Sequence, residues 1–229
     1  MPPLAAVAHE LRTPLGGIVG CAELLAATSL DAEQRAHLDA LREAASALAA
    51  FAEDALHLAR LGDPAAHAAV RPGPCDVRAV LAGVARTLAP QAARRGVAVV
   101  TDVAVDVPPI VHADAGAIRR VLLNLGANAV RAARRAVRCT AALADTGTLV
   151  CAVDDDGPGF STVQRKRLFR AWESGSPEGG AGLGLVLAAE LARRMGGTLV
   201  VESSPTGSTF ALRTPLCAGR AQLVPSPPR

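Results

Sequence analysis

An α+β protein in two parts is what the sequence predicts: a helical hairpin followed by an α/β sandwich. Three observations carry that reading. Apolar residues recur at alternating steps of four and three through residues 4–59, the rhythm of a helical seam. A Gly/Pro-rich stretch then interrupts the pattern. Beyond it, short β-like runs alternate with helical ones, as in a mixed sheet carrying helices on one face.

The first helix is expected from the series Leu4, Ala8, Leu11, Leu15, Ile18, Ala22 and Leu25, and the second from Leu38, Leu41, Ala45, Leu48, Ala52, Ala55 and Ala59. Thr28-Ser29-Leu30-Asp31 between them offers a tight connection with capping side chains. A hairpin with one apolar stripe per helix cannot bury both faces alone. Two copies packed as a four-helix bundle would, so residues 1–61 predict a homodimer. Residues 62–74, GDPAAHAAVRPGP, read as a linker. The second domain is expected over 75–216, with strands at 97–103, 137–143, 148–154, 198–203 and 208–213, and helices near 77–95, 114–136 and 182–195. The polar, Gly-rich stretch from Gly157 to Gly182 is a long loop, a feature that is usually functional or disordered. The tail over 217–229, ending PSPPR, is expected to be disordered.

Composition excludes several classes of function. The chain has 229 residues, 50% of them hydrophobic, which is enough to build a core. Aromatics are 2% with no Tyr, so that core must come from Ala, Leu and Val. A net charge of +3 and so few stacking side chains argue against nucleic-acid binding. No apolar run approaches a membrane span, and MPPLAAVAHE meets a charge too early for a signal peptide. Cys21, Cys75, Cys139, Cys151 and Cys217 lack zinc-ligand spacing and read as buried, reduced thiols of a cytosolic protein.

Four strings carry chemistry. In His9-Glu10-Leu11-Arg12-Thr13-Pro14-Leu15, His9 falls one position past the seam and is left exposed. An imidazole nitrogen is a competent phosphoryl acceptor, and Glu10 is placed to hold the proton of the other nitrogen. Thr13 lies one turn on, where its hydroxyl can position a water, and Pro14 is expected to bend the helix. An exposed histidine on an Ala-rich helix is by itself ordinarily inert. The second string places Arg120, Asn124, Asn128 and Arg131 on one helical face, two amides and two guanidiniums suited to a metal and to phosphates. Asn is a poor helix former, so two of them within a helix need another reason to be there.

The third string, Val153-Asp154-Asp155-Asp156-Gly157-Pro158-Gly159-Phe160, sets three carboxylates side by side at a strand end. They repel one another unless a ligand or cation compensates, and the glycines permit close approach of the backbone. The fourth, Gly179-Gly180-Ala181-Gly182-Leu183-Gly184-Leu185, leads into a helix whose N–H groups can face an anion.

Together these strings resemble the catalytic core of sensor histidine kinases over residues 4 to about 215, in the family's order and spacing. The first resembles the phosphoacceptor box, which implies His9 as acceptor, Glu10 as its base, and Glu10 and Thr13 in dephosphorylation of the partner. The second resembles the N box, implying Asn128 as the Mg²⁺ ligand, Asn124 as a nucleotide contact and Arg131 where the family often has Lys. The third resembles the G1 box, implying Asp155 as acceptor for the adenine amino group, with Gly157 and Gly159 in the turn. A guanine could not make that bond, so ATP is implied over GTP. The fourth resembles the G2 box, implying Gly180, Gly182, Gly184 and Leu185 around the phosphates. Arg167-Leu168-Phe169-Arg170-Ala171-Trp172 resembles the lid's F box, with Phe169 at the nucleotide and Trp where the family usually has Phe; Lys166, Arg167 and Arg170 are candidates for the γ-phosphate.

The resemblance implies a dimeric four-helix bundle joined to a GHKL-type sandwich of the kind found in gyrase, MutL and Hsp90. It implies ATP and Mg²⁺ as cofactors, and a separate response-regulator receiver domain as partner. Two other classes compete, a non-catalytic phosphotransfer scaffold and an ATP-gated conformational protein. Intact Asn128 and Asp155 weigh against the first, and the His9 box weighs against the second.

Overall fold

The structure is a computed structural model and describes residues 4–62, 70–145, 147–161, 164–165, 168 and 183–216; the side chains of residues 4–13 and of most of 46–62 lie outside that description. The chain divides into two compact units, Met1–Ala69 with Ser161–Glu190, and Val70–Phe160 with Leu191–Arg229.

The first unit holds the hairpin. Helix α1 (Leu4–Ala26) runs through Pro14, and α2 (Ala32–Gly62) packs against it. Their connection is closed by side chains. The Thr28 hydroxyl donates to the Leu25 carbonyl at 2.7 Å. Asp31 Oδ1 accepts from the Gln34 N–H at 2.8 Å while Gln34 Oε1 accepts from the Asp31 N–H at 3.1 Å, a reciprocal cap that satisfies two donors at the start of α2. The seam splits in two. Leu15, Ala22, Leu38, Ala45 and Ala52 are buried, whereas Ile18, Leu25, Leu41 and Leu48 remain 44–53% exposed. Each set repeats every seven residues, so each helix turns one line of its seam inward and leaves the other uncovered.

The second unit begins with β1 (Gly73–Cys75), which pairs antiparallel with β3 (Val111–Ala113). The main sheet has five strands, β2 (Ala98–Val103), β4 (Ala136–Asp145), β5 (Thr148–Asp155), β7 (Gly207–Pro215) and β6 (Thr198–Ser204) in that spatial order. Only the β2–β4 pair is parallel. Helices α3 (Val77–Arg94) and α4 (Ala115–Ala132) pack on this sheet and on each other. Asp76 and Asp114 cap them, accepting from Ala79 N–H at 3.0 Å and Ala117 N–H at 2.9 Å. The core joins Leu81, Val84 and Leu88 of α3, Ile118, Leu122 and Leu125 of α4, and alternate residues of β4, β5 and β7. Helix α5 (Leu183–Arg194), whose residues up to Glu190 belong to the first unit, precedes β6 and buries Leu183, Leu187, Ala188 and Leu191.

The structure departs from the sequence reading in four places. Helix α4 ends at Ala132 rather than near 136, because Ala133 turns extended (φ −61°, ψ 146°) and the next residues enter β4. Strands β1 and β3 were not predicted; three residues each are too few to display an alternation, and β1 takes up Gly73 and Pro74 at the end of the stretch read as linker. Cys21 is exposed, not buried, since it sits on the outer side of a two-helix layer. Cys75, Cys139 and Cys151 are buried and free, and burial pushes Cys139 up to about 11 and Cys151 to about 12, which keeps them protonated and inert. Cys217, residues 63–69 and the tail over 217–229 lie outside the described residues. Among the described residues no helix is long and apolar enough to cross a membrane.

Candidate active site

Helix α4 is amphipathic, and its polar side is where the second string falls. Ile118, Val121, Leu122, Leu125, Gly126, Ala129 and Val130 are buried. Arg120, Asn124 and Asn128 are half-buried and Arg131 is exposed, spaced along the other face. The Arg131 guanidinium donates to Asn128 Oδ1, one helical turn back. The amide oxygen is thereby held facing a cation.

Helix α4 packs on β4 and β5, and β5 ends in Asp154 and Asp155, with Asp156 directly after it. Their carboxylates do not share one environment, which corrects the expectation that a ligand or cation must compensate them. Successive strand residues face opposite ways, and each acid finds protein donors of its own. Asp154 accepts from the Thr209 hydroxyl on β7. Asp155 is only 8% exposed, and its Oδ1 accepts from the Gly157 N–H at 2.9 Å. Burial pushes the Asp155 carboxyl above the usual range; the N–H groups of Gly157 and Ser208 oppose that, and the charges of Asp156 and Asp154 add to it. Asp156 Oδ1 accepts from the backbone N–H groups of Arg134, Arg135 and Ala136 at 2.8, 3.0 and 3.3 Å.

Two glycines shape the turn. A Cβ on Gly157 would stand 2.5 Å from the Ala132 carbonyl oxygen and 2.7 Å from Asp155 Oδ1, so the turn lies directly on the end of α4. Gly159 has φ +67°, and a Cβ there would overlap the Ser204 carbonyl. Beyond it the Phe160 N–H donates to Ser203 Oγ at 2.9 Å, and the Phe160 ring lies 5.9 Å from that of Phe210. The chain thus leaves the sheet toward Ser161 from a fixed point.

The second unit therefore sets the turn of Asp155, Gly157 and Gly159 against the end of α4, the helix that carries Asn124, Asn128 and Arg131. Gly184 and Leu185 lie in the first turn of α5. His9, Glu10 and Thr13 lie on α1, their side chains outside those described. Phe169, Gly180 and Gly182, with Lys166, Arg167, Arg170 and Trp172, also lie outside the described residues. Sequence reasoning missed Asp156, Ser203 and Thr209. The one available signal was the run of three aspartates, whose separate partners lie far along the chain.

No group of three or more His, Cys, Asp or Glu side chains able to hold a metal occurs among the described residues. The donor set nevertheless suits Mg²⁺, which takes one or two protein oxygens and fills its octahedron with phosphate and water oxygens. Asn128 Oδ1 is such an oxygen.

A helix-backed sheet with an amide-bearing helix set against a buried aspartate turn defines the class: an ATP-binding sandwich domain. Residues 113–218 match the family described as "Histidine kinase-, DNA gyrase B-, and HSP90-like ATPase". Residues 4–64 match the "His Kinase A (phospho-acceptor) domain". The chain belongs to the sensor histidine kinases and carries the two domains of their catalytic core. It is 34% identical over 228 residues to the sensory/regulatory protein RpfC of Xanthomonas campestris pv. campestris, covering 94% of this chain and 31% of that protein. To the sensor protein TorS of Escherichia coli (strain K12) it is 32% identical, covering 93% of this chain and 24% of that protein. The chain thus spans a third or less of the length of these relatives. Among solved structures, full-length ShkA in complex with AMPPNP superposes with a TM-score of 0.72 at 37% identity, covering 94% of this chain and 46% of that one. The histidine kinase AdeS of Acinetobacter baumannii shares the fold, with a TM-score of 0.64 at 21% identity, over 91% of this chain and 98% of that one.

Proposed function

We propose that this chain binds Mg-ATP in its sandwich domain, transfers the γ-phosphoryl group to His9, and passes it to an aspartate on the receiver domain of a response regulator, acting as a homodimer in the cytoplasm. The observation that carries this reading is Asp155. A carboxylate that is 8% exposed and fixed at a strand end by the backbone N–H groups of Gly157 and Ser208 presents a preoriented acceptor to a ligand donor. The adenine amino group is such a donor, and the same family membership that names the domain places a phosphoacceptor helix on the same chain.

Phosphoryl transfer asks little covalent chemistry of the protein, chiefly alignment and charge neutralisation. Asp155 fixes the base. Asn124 contacts the nucleotide, and Asn128 would hold Mg²⁺ through the oxygen that now accepts from Arg131. A bound ion would supply neutralisation of the phosphate charge. Arg131 would add its positive charge to the phosphates, with Gly180, Gly182 and Gly184 as the residues to cover them. A His9 ring nitrogen attacks the γ-phosphorus, the bond to the β–γ bridging oxygen breaks, and ADP leaves with that electron pair. Glu10 takes the proton from the imidazole. In the second transfer a receiver carboxylate oxygen attacks the phosphorus and the P–N bond breaks. Thr13 orients water when the receiver is dephosphorylated. Dimer formation is supported by Ile18, Leu25, Leu41 and Leu48, a line of large apolar side chains that a second hairpin would cover.

The test is labelling from γ-labelled ATP. Wild-type protein gains acid-labile label, and His9→Ala gains none while binding ATP normally. Label persisting in His9→Ala would overturn the acceptor assignment. Thr13→Ala keeps kinase activity and loses dephosphorylation of the partner; equal loss of both would remove Thr13 from that role.

A further inference from the structure

We propose that Asp156 is a positioning residue that locks the exit of α4 to the turn carrying Asp155, so that the adenine end and the Mg-phosphate end of the nucleotide meet one rigid unit. The inference rests on the reading of Asp155 and Asn128 as nucleotide and metal contacts.

Three consecutive backbone N–H groups, of Arg134, Arg135 and Ala136, converge on a single oxygen, Asp156 Oδ1, at 2.8, 3.0 and 3.3 Å. They follow directly after α4, which ends at Ala132. The β4–β5 ladder pairs Val137 with Asp155 and goes no further toward the helix. From the other side β2 holds this stretch, with Ala98 paired to Ala136 and its N–H donating to the Arg135 carbonyl at 2.8 Å. No ladder pair reaches residues 133–136 from β5, and on that side Asp156 supplies the tie. Its neighbour adds a second, since Gly157 rests against the Ala132 carbonyl at a distance no side chain could share. Residues 155, 156 and 157 thus grip residues 137, 134–136 and 132 in turn. Asn128 stands one turn before that grip, and Asp155 stands within it. The same N–H groups hold the Asp156 carboxyl below the usual range, so it is ionised at neutral pH and accepts at full strength.

A tie of this kind acts on binding rather than on the chemical step. In autophosphorylation assays Asp156→Ala raises KM for ATP by about tenfold or more, as loss of an outer partner to a ligand typically does. Its kcat stays within about twofold of wild type, the pattern of lost uniform binding. Asp156→Asn keeps an oxygen that can accept and restores KM to within about threefold of wild type. An unchanged KM in Asp156→Ala would overturn the proposal, and so would Asp156→Asn as weak as Asp156→Ala. Should Asp156→Ala fail to fold, amide hydrogen exchange on the wild-type protein decides. Mg-ADP slows exchange at residues 134–136, and rates that ignore the nucleotide sink the idea. Asn128→Ala separates the two levels. If it binds Mg-ATP as wild type does, the site reading itself is wrong; if it loses binding while Asp156→Ala does not, only the present inference fails.

Discussion

At the scale of single residues, Asp155 meets opposing demands. It must be ionised to accept from adenine, yet burial favours its neutral form, and Asp156 and Asp154 push the same way against the N–H groups of Gly157 and Ser208. ATP affinity therefore falls as pH drops through the raised pKa of Asp155, at a higher pH than an ordinary aspartate would give. Calorimetric titration with ATP between about pH 8 and about pH 5 reads this acid limb. The stability of the empty site runs the other way. A carboxyl whose folded pKa exceeds its unfolded value costs stability while ionised, and the cost is relieved as pH falls through the folded value. Asp155→Asn is accordingly expected to melt no lower than wild type at neutral pH, while its ATP affinity drops roughly thirtyfold, about 2 kcal/mol for a mispaired buried donor. Asp155, Gly157 and Gly159 were legible in the sequence because they lie within one short string. Asp156 was not, because its partner amides lie 20–22 residues away. Gly157→Ala is expected to weaken ATP binding, since the added methyl meets a backbone carbonyl that can yield only by moving α4; overpacking of this kind costs about 1–3 kcal/mol.

At the scale of elements, the seam of the hairpin was legible as a rhythm, but its division was not. Periodicity places Leu38 and Leu41 on one stripe, and only packing reveals that Leu38 is 8% exposed and Leu41 47%. The two should respond differently. Leu38→Ala removes buried volume within one hairpin and costs about 2–4 kcal/mol in denaturant unfolding. Leu41→Asp is expected to leave the hairpin helical and to dissociate the dimer, as sedimentation equilibrium and circular dichroism measured together would show. Helix α4 depends on Asp114, whose Oδ1 caps Ala117 while its Oδ2 accepts from Arg71 N–H at 2.7 Å. Asp114→Ala is expected to lower stability by about 1–2 kcal/mol in urea titration. Strands β1 and β3 escaped the sequence for the opposite reason to the seam. Three residues each form a strand only because the other is there to pair with.

At the scale of the whole molecule, the second unit, Val70–Phe160 with Leu191–Arg229, holds a core of its own in which Leu81, Ile118, Leu122, Leu149 and Leu212 are fully buried. A protein comprising residues 70–216 is expected to unfold in one cooperative transition and to bind ATP without the hairpin, as calorimetry would test. The sequence by itself determined the two-part plan, the positions of the long helices and main strands, and the family strings at His9, Asn128 and Asp155. Those features are written in local order, as periodicity over a few turns or as residues that must be neighbours to work. The tertiary structure alone decided where α4 ends, which line of the seam stays uncovered, and how three adjacent aspartates avoid one another. Each of those outcomes depends on a partner distant along the chain: Asp156 for Arg134, Thr209 for Asp154, and the facing helix for Leu38. A hydrogen bond or a packing contact is set by distance in space, and the fold supplies that distance.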